Sequence, residues 1–176
     1  FLKKLGVNLF KTASADIVDH SLHEFIAKTR IPSIIATGMA TMEEIEDVVK
    51  IYNNENNNNF ILLHCVSNYP CSDSALNMNA INSIKEKFTC PIGYSDHSVG
   101  NLASILSIAH GAKLIEKHFT LDKTLPGPDH KASSTPKEFK ELVADIRRAE
   151  KMLGSPNKKM QEEERQMSKV SRKSIF

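Results

Sequence analysis

A parallel α/β fold with helices covering the sheet is predicted for this 176-residue chain by three observations. A short β-branched or apolar run, a polar turn and a helix-period segment recur in that order five times, which is the pattern of βα repetition. The turns are short, so the strands run parallel with right-handed crossovers, and every strand ends on the same side of the sheet. The composition, 40% apolar and 25% charged, is that of an ordinary globular protein with a core to bury.

The first run is NLFKTAS (8–14), followed by an amphipathic helix near 17–29. PSIIATG (32–38) comes next and leads into a helix near 41–54. The low-complexity stretch NNENNNN (53–59) joins that helix to FILLHCVS (60–67) and reads as a solvated loop without chemical meaning. A helix near 76–87, the run CPIGYSD (90–96), a helix near 99–110 and the run AKLIEKHF (112–119) follow. The last helix is the best marked. Thr135-Pro136-Lys137-Glu138 is a capping box with proline at the first helical position, and Gly154 and Pro156 close the far end. The remainder, NKKMQEEERQMSKVSRKSIF, is charged and has no core pattern of its own.

An open doubly wound sheet and a (β/α)8 barrel both fit this order. No GxGxxG or GxxxxGK[ST] follows the first run, which removes the usual sign of a nucleotide-binding sheet. Polar residues instead cluster beyond the C-terminal end of every run, where a barrel builds its active site. A complete barrel takes about 250 residues. The expectation is therefore a TIM-type barrel of which this chain carries a part.

Composition narrows the partners. The 23 basic residues are scattered among 21 acidic ones for a net charge of +2, with no basic face for nucleic acid. No apolar run reaches the roughly 20 residues that cross a bilayer, and no signal peptide is evident. Cys65, Cys71 and Cys90 form no CxxC pair and read as reduced thiols of a cytoplasmic protein.

Chemistry is suggested where two runs end on histidine, His97 and His118. Residues two apart in a strand point the same way, so Ser95 shares a face with His97, and Glu116 with His118. Adjacent strands lie about 4.8 Å apart, so the imidazoles could converge on Mn²⁺, Fe²⁺, Co²⁺ or Zn²⁺, with water and substrate completing the shell. The plainer alternative is that each histidine caps a strand end, and spacing alone leaves both open. Lys11 and Ser14 close the first run, Thr37 and Gly38 the second, Ser67 and Tyr69 the third, and Ser95 the fourth. One cation and several donors at one mouth describe an anion site, most simply for phosphate. Each hydroxyl alone would be ordinary turn chemistry, but a lysine inside an apolar run must be paired or reach solvent. The Pro- and Gly-rich loop LDKTLPGPDHKASS (121–134) is long enough to be functional, and Asp129 within it is a candidate ligand for polyol hydroxyls.

The segments ATGMAT, LLHCVSNYP, IGYSDHS, IEKHFTLDKTLPGPDHKAS and the closing SRKSI together resemble the sialic acid synthase family, the phosphoenolpyruvate-dependent N-acetylneuraminate and legionaminic acid synthases. The resemblance covers nearly the whole chain and implies a (β/α)8 barrel of which the five runs are strands four to eight. It assigns residues 1–154 to the barrel and 155–176 to a linker toward an antifreeze-like domain that reaches across a homodimer. It also implies a divalent metal, usually manganese with magnesium or cobalt as alternates, on His97 and His118. Phosphoenolpyruvate would be held by Lys11, Ser14, Ser95 and Tyr69 with help near Ser67, and the amino sugar by Asp129. Asp16 stands where the family commonly has Glu. Ala36 stands where members often have serine, which leaves Thr37 and backbone amides to complete the phosphate cradle.

The implied reaction joins phosphoenolpyruvate to N-acetylmannosamine or a related acylated amino sugar, yielding a nine-carbon 2-keto acid and phosphate. His97, His118, Lys11 and Tyr69 are the implied catalytic groups. Glu116 is expected either to orient metal-bound water or to form an ion pair with Lys117 or a neighbour. The alternatives are another metal-dependent phosphoenolpyruvate aldol-type barrel enzyme, or an inactive fragment needing a partner half-barrel. On its own the chain is expected to bind metal poorly and not to turn over.

Overall fold

The computed structural model describes residues 1–172, so the last residues of the SRKSI match lie outside the described residues. Five parallel strands form one sheet in the order of the chain: β1 (Phe10–Thr12), β2 (Ser33–Ala36), β3 (Phe60–Cys65), β4 (Ile92–Asp96) and β5 (Ile115–Lys117). Six α-helices accompany them among the described residues: α1 (His20–Thr29), α2 (Met42–Asn54), α3 (Ala80–Lys87), α4 (Leu102–Ala109), α5 (Pro136–Leu153) and α6 (Arg165–Ser171).

The period of two sorts the strand residues onto two faces. Ile35, Leu62, Ile92 and Tyr94 point outward and pack in one core with Ile45, Val48 and Tyr52 of α2 and Ile81 and Ile84 of α3. Each aliphatic side chain fully withdrawn there contributes about 1.5–3 kcal/mol. Lys11, Ala36, Cys65, Ser95 and Glu116 point to the other face, and Cys65, Ser95 and Glu116 lie side by side in the register of β3, β4 and β5.

Helix starts differ from the sequence expectation where the backbone turns left-handed or a side chain caps. Residues 14–18 form a 3-10 turn, and α1 begins after Asp19, whose carboxylate accepts the Leu22 amide. Asn77, at φ +45°, keeps Leu76 out of α3, and Gly100, at φ +81°, delays α4 to Leu102. The caps of α2 and α5 are both capping boxes, built on Thr41 with Glu44 and on Thr135 with Glu138. Among the described residues no helix is long and apolar enough to cross a membrane.

The asparagine-rich stretch is not wholly a solvated loop. Asn57 is 2% exposed; its Nδ2 donates to the Ala27 carbonyl and its Oδ1 accepts the Asn59 amide, each at 3.0 Å. It ties the end of α1 to the approach of β3. Asn57→Ala strands two backbone groups and is expected to cost about 1–3 kcal/mol, read as a lowered urea midpoint. The same change at exposed Asn54 should leave the midpoint unmoved.

Candidate active site

Lys11 and Glu116 sit on β1 and β5, the two edges of the sheet, yet Nζ and Oε1 are 3.5 Å apart. In a flat sheet the four spacings of about 4.8 Å would separate these edges by about 19 Å, beyond the combined reach of the two side chains. The sheet is therefore an arc, and its inner face is concave. A cavity of about 320 Å³ opens at the C-terminal strand ends, lined by Lys11, Ser14, Ser67, Tyr69, Ser95, His97, Glu116 and His118, with Cys65, Ala36 and Met39 between them.

The two histidines each lie one residue beyond a strand, with ring centroids 5.4 Å apart at a steep angle. His97 donates from Nδ1 to the Val66 carbonyl at 2.7 Å, which leaves Nε2 as the lone-pair nitrogen. Burial pushes this imidazole below its ordinary pKa, against the opposing pull of the Val66 carbonyl, so it is neutral at pH 7. Nε2 is 3.2 Å from Ser95 Oγ, but the Ser95 hydroxyl proton goes to Glu116 Oε1 at 2.8 Å. One hydroxyl has one proton, so the Nε2 lone pair has no donor of its own. Tyr69 packs on both rings, 4.2 Å from His97 and 5.2 Å from His118 between centroids. Its hydroxyl is pushed up by burial first and then by the neighbouring acidic groups of Cys65, Asp129 and Glu116.

The free Nε2 lone pair of His97, with the His118 ring beside it, is the type of donor that suits a borderline divalent ion. Among the described residues no three His, Cys, Asp or Glu side chains are grouped to hold one. The residues present thus fit an ion held by two protein nitrogens, with its other positions open to water and substrate oxygen.

Across the cavity Ser14 Oγ accepts the Gly38 amide at 3.0 Å and lies 3.2 Å from Cys65 Sγ. Gly38 keeps these side chains in place, because a Cβ there would strike Ser67 Oγ and come within 2.7 Å of Ser14 Oγ and 3.0 Å of Cys65 Sγ. Gly38→Ala is expected to displace both hydroxyls and raise KM for an anionic substrate by about 10²-fold. Retention of the urea midpoint would show that the loss is local.

The long loop is tied back onto the site. Ser134 N–H donates to the His118 carbonyl at 2.8 Å and Thr120 N–H to the Ser134 carbonyl at 3.0 Å. Lys123 Nζ bonds Glu138 Oε1 at 2.6 Å, and this contact, ahead of the Thr135 donors, holds the Glu138 carboxyl down to about 2. Asp129 Oδ2 is brought to 3.9 Å from His118 Nδ1, beside the cavity and not in its lining.

Two expected site residues are engaged elsewhere. Asp16 accepts the Ala13 amide at 2.8 Å as part of the turn after β1. The Thr37 hydroxyl, buried, donates to the Leu63 carbonyl at 2.9 Å, so it does not make up for the missing hydroxyl at Ala36. Glu116 pairs with Lys11 and Ser95; Lys117 pairs instead with Asp96, at 2.9 Å on the outer face. That buried pair went unread in the sequence, although Ser-Asp-His and Glu-Lys-His repeat one spacing and put an acid opposite a base in adjacent strands.

A cleft lined by one lysine, serine hydroxyls and two imidazoles lies at the C-terminal ends of a curved parallel sheet, the place where (β/α)-barrel proteins build their sites. The chain belongs to the NeuB family, whose family model matches residues 1–158. It is 44% identical over 179 residues to N,N'-diacetyllegionaminic acid synthase of Legionella pneumophila, covering 99% of this chain and 50% of that one. Human N-acetylneuraminate-9-phosphate synthase is 40% identical over 161 residues, covering 91% and 45%. The structure superposes on N-acetylneuraminic acid synthetase of Leptospira borgpetersenii, crystallised with citrate, with a TM-score of 0.89 and 41% identity over 96% of this chain and 59% of that one. The chain thus spans about half the length of the curated relatives it matches.

Proposed function

We propose that the protein carrying this chain condenses phosphoenolpyruvate with an open-chain acylated amino sugar, N-acetylmannosamine or a relative, to a nine-carbon 2-keto acid and phosphate. The methylene carbon (C3) of phosphoenolpyruvate bonds the aldehyde carbon, water adds at C2, the carbon that bears the phosphate oxygen, and cleavage of that C2–O bond releases phosphate and leaves the 2-keto group. The observation that carries this reading is the cavity itself, where one ammonium, three serine hydroxyls and two imidazoles share one lining.

Lys11 and the hydroxyls of Ser14 and Ser67 receive the phosphate, and Ser95 and Tyr69 border the carboxylate end. Holding both substrates in one cleft replaces a bimolecular encounter by a local one. Glu116, bonded to Lys11 and Ser95, is placed to release the ammonium to an arriving anion. Asp129, on the loop beside His118, receives sugar hydroxyls. His97 and His118 would hold the divalent ion, Mn²⁺ first with Mg²⁺ or Co²⁺ as alternates, which when bound supplies Lewis acidity toward the aldehyde oxygen. Relatives bearing the names of both legionaminic and neuraminic acid synthases support an acylated amino sugar as the second substrate.

The test is phosphate release from phosphoenolpyruvate by the intact protein with Mn²⁺, across a panel of acylated mannosamines and simple aldehydes. Release with an acylated amino sugar, abolished in both His97→Ala and His118→Ala together with Mn²⁺ binding, is the expected result. Preference for a short aldehyde or an unacylated sugar phosphate would overturn it.

A further inference from the structure

Behind the cavity, on the face of the sheet away from it, lies a buried ion pair with no part in the chemistry above. Asp96 and Lys117 are register partners on β4 and β5, their side chains 0% and 1% exposed, with Nζ and Oδ2 2.9 Å apart. Each is followed in the chain by one of the site histidines. Asp96 accepts four hydrogen bonds: Oδ1 from the Ser98 amide at 2.8 Å and Ser98 Oγ at 2.7 Å, and Oδ2 from Ser104 Oγ at 2.5 Å and from Lys117. Lys117 Nζ also donates to the Ser98 carbonyl at 2.9 Å. His97 therefore stands between two residues fastened to each other, and one of the fasteners comes from the strand that carries His118. The His97 carbonyl is fixed as well, by the Cys71 amide at 2.8 Å.

A buried ion pair is a poor way to add stability, since apolar side chains of the same volume do as well or better. What it does supply is direction. Charge-assisted hydrogen bonds are short and directional, and those made here fix the residues on either side of His97 to each other, to β5 and, through Ser104, to α4. The position of the His97 ring in turn decides whether Nδ1 reaches the Val66 carbonyl, and so whether the Nε2 lone pair faces the cavity.

We infer that Asp96 and Lys117 are a positioning pair, which sets the His97 ring in the tautomer and orientation that present Nε2 beside His118. The expected consequence for ion binding rests on the proposed function; the effect on the ring does not. Supporting groups of this kind typically alter metal affinity by about 10–100-fold when removed.

The experiment uses the intact protein with ¹⁵N-labelled histidine and no metal. Imidazole spectra assign the His97 tautomer, and ring-to-ring contacts report its approach to His118. In the unaltered protein a single Nδ1–H tautomer of His97, in contact with His118, is expected. Lys117→Met should give mixed tautomers and lose the ring contact, while Leu142→Ala, a buried apolar truncation in α5 that removes no hydrogen bond or charge from Asp96 or Lys117, should keep both. An unchanged His97 spectrum in folded Lys117→Met overturns the inference, and so does the same disturbance in Leu142→Ala. Should Lys117→Met fail to fold, Ser104→Ala, which removes one donor from Asp96, decides in its place: partial mixing supports the pair and an unchanged ring overturns it. In a parallel Mn²⁺ titration, Lys117→Met should bind about tenfold more weakly. Absence of Mn²⁺ binding in the unaltered protein would count against the proposed function alone, because the metal-free spectra judge the positioning pair.

Discussion

Lys11→Ala is expected to lower kcat/KM for phosphoenolpyruvate by about 10²–10³-fold in the intact protein, the usual consequence of removing one preorganised donor from a developing or fixed negative charge. Lys11 is the one ammonium lining the cavity among the described residues. Its place on an edge strand, with Glu116 at 3.5 Å, keeps it aimed inward when no anion is bound. Removing it withdraws the phosphate's counter-charge and leaves Glu116 to repel the substrate. The fall should therefore appear largely in KM, with kcat reduced only as far as the phosphate is misplaced. Lys11→Arg should recover part of the loss, because charge returns while the fork-shaped head does not match a point contact. Steady-state phosphate release at saturating sugar measures all three proteins, and a loss of less than about threefold for Lys11→Ala would remove the anion site from the proposal.

Asp96→Ala is expected to destabilise the fold by about 3–5 kcal/mol, because it leaves the Lys117 ammonium buried without a counter-ion and unpairs the Ser98 and Ser104 hydroxyls. Burial on its own would raise the Asp96 carboxyl. The Ser104 and Ser98 hydrogen bonds and the Lys117 charge outweigh it and hold the group below its ordinary value. Urea unfolding followed by circular dichroism measures the loss. The Asp96→Ala, Lys117→Met double variant should recover most of the stability, since removing both charges spares the cost of isolating one. If the double variant is as unstable as the single one, the penalty does not come from the stranded ammonium.

Much of this arrangement was legible in the sequence because it depends on short-range rules. Alternation by two placed Ser95 with His97 and Glu116 with His118, and both pairs line the cavity. The capping box at Thr135 and Glu138 gave the start of α5 to the residue. Where the outcome depended on a single side chain choosing among near neighbours, the pattern was silent. Thr37 has a carbonyl within reach and bonds it; Asp16 does the same with the amide of Ala13. Asn57 sits in a run of identical residues, and only its packing against the end of α1 distinguishes it from those around it.

By itself the sequence determined a parallel α/β order and the polar and imidazole groups that gather at the C-terminal strand ends. Those follow from periods of two and 3.6 and from the fixed hand of the crossovers. The tertiary structure alone decided that Lys11 and Glu116, 105 positions apart in the chain, meet across the mouth, and that Asp96 takes Lys117. Both outcomes come from curvature and register summed over five strands, quantities that no local window of residues contains.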